Sequence, residues 1–175
     1  YTWKMLMNDG LEADFLAVVG QNPPDPGQPW EWMVGSHQGP SSVVLGKGGT
    51  LYHGSRNSEG PPVLMKLGSE AGPVLWKRDW QTKGPVDMVE IGGSLHVLGW
   101  NSELQQVDAA TGKNEGKALD LLWPGDVRPG CDDPVSSYGI KIGADGENLV
   151  IAYRDHNLLR WIHPKNGAVV REFAL

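Results

Sequence analysis

Three prolines, Pro40, Pro85 and Pro134, each open a segment with the same succession of short apolar runs and small polar breaks. A strand-like run follows each: Val43 to Leu45, Val86 to Ile91 and Tyr138 to Ile142. Each run meets a turn, at Gly48-Gly49, Gly92-Gly93 and Asp145-Gly146, and a second run then covers Leu51 to His53, Leu95 to Leu98 and Leu149 to Tyr153. Polar breaks at Asn57-Ser58-Glu59, Asn101-Ser102-Glu103 and Asp155-His156-Asn157 lead to third runs at Leu64 to Leu67, Leu104 to Val107 and Leu158 to Ile162. Turns at Ala71-Gly72, Thr111-Gly112 and Asn166-Gly167 introduce fourth runs at Val74 to Trp76, Lys117 to Leu119 and Ala168 to Phe173. Gly, Asn and Asp tolerate the positive φ of tight turns, so this punctuation is a chain of hairpins.

The opening of the chain fits the back half of the same unit, with "TWKMLM", "DFLAVVG" and "WEWMVG" as its second, third and fourth strands. The turn glycines recur at about 40 to 55 residues, the length of a propeller blade rather than of a solenoid coil. The expected fold is therefore all-β and β-propeller-like, with about four blades of antiparallel four-stranded sheets and the first blade incomplete. The repeats fall at approximately 1–39, 40–84, 85–133 and 134–175 within one domain or segment spanning 1–175. Because the chain ends on a fourth strand, nothing is left to complete the first blade, so the expected fold is either a small four-bladed ring with an open blade or, the favoured reading, part of a larger propeller.

Composition agrees. Twenty-four Gly and 13 Pro in 175 residues disfavour long helices. A net charge of −6 argues against nucleic acid as a partner, since phosphate binding needs a basic surface. The longest apolar run, Phe15 to Val19, is far too short for a membrane-spanning segment. Cys131 is the only cysteine, which excludes an intrachain disulfide and a Cys-rich zinc site.

The stretch "LQQVDAATGK" resembles the blade repeat of quinoprotein-type propellers, the pyrroloquinoline-quinone-like repeat, which runs Asp-x-x-Thr-Gly-x-x-x-Trp. Asp108, Thr111 and Gly112 match, whereas Gly116 stands at the tryptophan position. In the preceding copy Trp76 supplies the tryptophan and Gly68 replaces the aspartate; in the last copy His163 and Arg171 occupy the two positions. The resemblance implies a propeller in which the tryptophan packs between blades, and an extracellular or periplasmic setting. The segment 145–170 is also similar to a blade of arylsulfotransferase-type propellers, where a histidine carries sulfate; His156 and His163 are the histidines in it.

Catalytic motifs are absent from the sequence: no G-x-S-x-G, H-E-x-x-H, P-loop, C-x-x-C or G-x-G-x-x-G. "GKGGT" and "GADGEN" read as turns. His53 and His96 sit in corresponding second strands at offsets differing by one residue, which places them on opposite faces. The segment "LLWPGDVRPGCDDP" lengthens one inter-repeat connection and carries Asp126, Arg128, Asp132 and Asp133, a candidate binding loop for a basic partner. Trp30 and Trp32 alternate on one strand and form a second candidate, for a protein or a carbohydrate. The expected function is a non-catalytic binding or scaffolding propeller module with a protein partner, no metal and no cofactor. The rivals are a quinone-dependent dehydrogenase fragment, an arylsulfotransferase-like enzyme portion and a carbohydrate-binding module.

Overall fold

A computed structural model describes residues 42–55, 61–69, 73–81, 84–126 and 139–175. The first repeat, with Trp30 and Trp32, and the loop residues Arg128, Cys131, Asp132 and Asp133 lie outside the described residues. The chain divides into two compact units, Tyr1–Gly84 and Pro85–Leu175.

The first unit contains β1 (Ser42–Leu45), β2 (Leu51–Ser55), β3 (Val63–Leu67) and β4 (Val74–Asp79), paired in chain order as an antiparallel meander. The second contains two such meanders. One is β5 (Pro85–Ile91), β6 (Ser94–Gly99), β7 (Glu103–Asp108) and β8 (Asn114–Asp120). The other is β9 (Ile140–Asp145), β10 (Asn148–Tyr153), β11 (Leu158–Ile162) and β12 (Val169–Ala174). The expected four-stranded blades are present in all three proline-led repeats. β8 begins earlier than the expected run at Lys117, because Asn114 and Glu115 pair with Val107 and Gln106 before the ladder shifts. β9 likewise continues past Ile142 to Asp145, pairing to the end of its hairpin.

The turn chemistry is visible at atomic level. Gly92 and Gly93 take φ of 60° and 86°, the two left-handed positions that a tight hairpin matching the twist of β5 and β6 requires. At the closing turn, the Asp108 carboxylate accepts hydrogen bonds from the Thr111 backbone N–H at 2.7 Å and the Thr111 hydroxyl at 2.5 Å. The Asp108 N–H donates to the Lys113 carbonyl at 2.8 Å, and the same pairing recurs from Gly68 to Pro73 and from His163 to Ala168, each at 2.8 Å. Gly68, Asp108 and His163 are therefore structurally equivalent, as the repeat alignment requires.

Alternation sorts each strand into faces. In β10, Leu149, Ile151 and Tyr153 are buried while their neighbours are half-exposed. These three join Leu98 and Leu104 of the preceding sheet and Ile140, Leu158 and Ile162 in one apolar cluster, so the two sheets of the second unit pack face to face as consecutive blades. Each fully buried Leu or Ile contributes about 2 kcal/mol by removal from water. The first unit has its own cluster of Leu51, Val63, Met65 and Leu67. The outermost strand β12 is exposed throughout. Among the described residues no helix is long and apolar enough to cross a membrane.

A polar tie complements the apolar contact between the sheets of the second unit. Among the described residues β9 pairs on one edge only, with β10, and its Ile142 N–H donates to the Asp87 carboxylate on β5 at 3.0 Å. The other Asp87 oxygen accepts from the Met88 N–H at 3.1 Å, which holds the side chain in place. Asp87→Ala leaves a part-buried N–H without an acceptor and is expected to cost about 1–3 kcal/mol. Asp87→Asn, which keeps one acceptor oxygen, is expected to recover part of that. Urea denaturation of the two variants measures both, and an unchanged midpoint for the alanine variant would exclude the role.

Candidate functional site

The segment after β8 turns away from the sheet with Leu121 buried and Trp123 half-buried, then exposes Pro124, Gly125 and Asp126. Its return is fixed by Leu121 N–H donating to the Ser102 carbonyl at 2.9 Å and Asp126 N–H to the Trp123 carbonyl at 3.0 Å. Across from it, β10 ends in Tyr153 and a single 3-10 turn, Arg154–His156, closed by Asn157 at φ 50°. Asn is one of the few side chains that tolerates this left-handed position. The turn delivers His156 to Asp126, with Nε2 and Oδ2 2.9 Å apart.

Trp123 is the centre of the site. The His156 ring stacks on it at 4.7 Å and 26°, and Tyr153 meets it edge-on at 5.3 Å. The Arg160 guanidinium lies 4.7 Å from the Trp123 ring centroid and 5.5 Å from that of Tyr153. Arg160 is itself anchored by its cross-strand neighbour Glu172, which accepts from Nη2 at 2.6 Å and from Nε at 2.8 Å. Burial pushes the Tyr153 hydroxyl above its ordinary pKa, partly opposed by Arg160, so the phenol stays neutral at pH 7. Aromatic, cation–π and charge-assisted contacts thus lock five side chains from three strands and two loops around one indole. Asp126 and His156 keep 45% and 29% of their side chains exposed, so the cluster presents a polar edge to solvent.

Of the six residues the sequence singles out, Asp126 falls in this cluster, and Arg128, Asp132, Asp133, Trp30 and Trp32 lie outside the described residues. Trp123, Tyr153, Arg160 and Glu172 were not anticipated. Trp123 opens the lengthened loop, but its partners lie 30 or more positions on, beyond the reach of local pattern. His163, weighed with His156 by the arylsulfotransferase likeness, sits in the β11–β12 turn, where its backbone pairs with Ala168. Among the described residues no group of three or more His, Cys, Asp or Glu is placed to hold a metal ion.

His53 and His96 are both buried. Register makes Tyr52, not His53, the counterpart of His96: Tyr52 pairs with Lys66 and His96 with Gln106, each one residue before the equivalent third-strand ends Leu67 and Val107. The two histidines therefore face opposite sides of their sheets, as the one-residue offset requires. Burial lowers the His96 pKa from 6.5 to about 4, with Glu115 partly opposing the shift.

No protein-family model and no curated sequence matches the chain. Solved structures do. BamB from Moraxella catarrhalis is similar with a TM-score of 0.54 at 14% identity, over 76% of this chain and 36% of that one. Apo AztD from Citrobacter koseri gives 0.54 at 14% identity over 88% of this chain and 38% of that one. Glutaminyl cyclase from Myxococcus xanthus gives 0.53 at 14% identity over 77% and 50%. The chain thus spans between 36% and 50% of the length of these structures. At such identity the likeness establishes fold alone: the chain has the blade architecture of a β-propeller.

The His96 pKa sets a pH window. Between about 6.5 and 4 the unfolded chain takes up the imidazole proton while the folded chain does not. Stability from this group is full above pH 6.5 and falls as the pH drops toward 4, below which further acid costs nothing more through His96. At about 1.4 kcal/mol per pH unit the total is on the order of 3 kcal/mol. His96→Phe is expected to flatten the acid limb of stability by about that amount, read from urea midpoints across the window. Parallel acid limbs in the two proteins would contradict it.

Proposed function

We propose that the chain is a non-catalytic binding module that takes a protein partner on the surface around Trp123, Asp126 and His156. The observation that carries this reading is the braced indole: Trp123, held by His156, Tyr153 and Arg160 at the rim of two consecutive blades. Trp, Tyr and Arg dominate the energetics of protein interfaces, and rigid side chains lose little entropy when a partner docks. The exposed Asp126 carboxylate and the net charge of −6 favour a partner with a basic contact face. Trp123 is half-buried and already engaged by two ring neighbours, which suits an interface anchor better than an open stacking platform for a sugar.

The test compares proteins recovered from native extract by the wild-type chain and by three variants, Trp123→Ala, Asp126→Lys and His156→Glu. Asp126 and His156 lie at the solvent edge, so the last two variants separate binding from folding, with circular dichroism as the control. A partner retained by the wild type, and bound about tenfold or more weakly after purification by all three variants, supports the reading. Equal binding to all four proteins overturns it.

A further inference from the structure

One row of side chains has the same place in each of the three described sheets, crossing the second, third and fourth strands just before the closing turn. In the first sheet it is Tyr52, Lys66 and Trp76. The Trp76 ring lies 6.1 Å from that of Tyr52, and Lys66 Nζ lies 5.1 Å from the Tyr52 ring. In the last sheet it is Val150, Trp161 and Arg171, with the Arg171 guanidinium 3.9 Å from the Trp161 ring centroid. Both rows are filled by an indole. In the middle sheet the row reads His96, Gln106 and Glu115, with no indole in it, and Gly116, which lies as far from its turn glycine as Trp76 and Arg171 do from theirs, falls just outside the row.

The exchange changes the backbone as well as the side chain. The first and last sheets shift register directly after Val74 and Val169, which brings Trp76 and Arg171 into the row. In the middle sheet Glu115 pairs first and the shift comes later, with Gly116 at φ 66°. A Cβ at Gly116 would meet nothing within 4 Å. Beside this row lies a cavity of about 250 Å³, bounded also by Leu104, Leu119 and Pro164 and lined too by Lys117 and Lys165. Leu104, Leu119 and Pro164 give it an apolar side, and His96, Gln106 and Glu115 a polar one. Glu115 accepts from the Ser94 hydroxyl at 2.6 Å and the Gln106 amide at 3.0 Å. The His96 ring, 1% exposed, faces the same side, and its Nδ1 has no hydrogen-bond partner.

We propose that this cavity binds an aromatic ring bearing an N–H donor beside an acidic group, the chemistry of an indole carboxylate or of tryptophan in an acidic peptide. The apolar side formed by Leu104, Leu119 and Pro164 takes the ring. His96, Gln106 and Glu115 offer acceptors to a ring N–H, and an uncharged imidazole places no cation against it. Lys117 and Lys165, both exposed, pair with the acidic group at the mouth. This site is separate from the surface around Trp123, and neither proposal depends on the other.

The experiment titrates the full chain with three probes, followed by calorimetry and by amide chemical shifts. The probes are N-acetyl-tryptophan, its uncharged amide, and the blocked tripeptide Glu-Trp-Glu. The expected result is saturable binding of the two acidic probes at about 1 mM or tighter, with shifts at His96, Gly116 and Lys117. The double variant Lys117→Glu, Lys165→Glu changes only exposed side chains, and it should weaken both acidic probes about tenfold while leaving the amide unchanged. Gln106→Trp, which places an indole at the row position that Trp161 holds in the last sheet, should abolish all binding by filling the cavity. Tighter binding of the tripeptide than of the free acid assigns the ring to a polypeptide, and the reverse assigns it to a small molecule. No saturable shifts with any probe, or acidic-probe binding indifferent to the lysine reversal, overturns the proposal.

Discussion

A four-stranded blade cannot bury both of its faces alone, and the structure of residues 85–175 follows from that constraint. Leu98 and Leu104 on one sheet and Leu149 and Ile151 on the next are fully or almost fully buried because each sheet serves as the other's interior. The innermost strands leave backbone donors with no ladder to join, and Asp87 supplies an acceptor to one of them. Apolar contact drives the blades together; the carboxylate decides how β5 and β9 align once they meet. An aspartate on β5 is therefore a device for fixing register between sheets, where no backbone ladder does so.

The same packing places the aromatic cluster. Trp123 leaves the end of one sheet, and Tyr153, Arg160 and Glu172 belong to the next, so the cluster exists only where two consecutive blades are seated. Its chemistry is graded from inside to outside. Tyr153 is buried and neutral, Arg160 is largely covered and paired, and Asp126 and His156 reach solvent. Such a gradient stiffens the inner part and leaves Asp126 and His156 at the solvent edge.

Much of this fold was legible because it is written in local punctuation. Asp108-x-x-Thr111-Gly112 names its own turn, since the carboxylate, hydroxyl and left-handed glycine lie within five residues and satisfy one another. Strand positions followed for the same reason. The aromatic cluster was legible only in Asp126, because its partners are set by the docking of sheets, which no short window records. Gly116 is an intermediate case. Its departure from the repeat could be read directly, but that Glu115 takes the row position and a cavity lies beside it is visible only in the register of the strands.

The meander order of the strands bears on how the chain assembles. Every strand pairs with its immediate neighbour in sequence, so each sheet gains its ladder from hairpins with short loops. Loop closure on that scale is cheap, and contact order within a sheet is low. The Asp87–Ile142 bond, spanning 55 positions, belongs to a later event, the docking of two sheets already formed. A chain leaving the ribosome can thus complete one blade while the next is still being made. Its most vulnerable interval is the time a finished sheet waits with its apolar face uncovered.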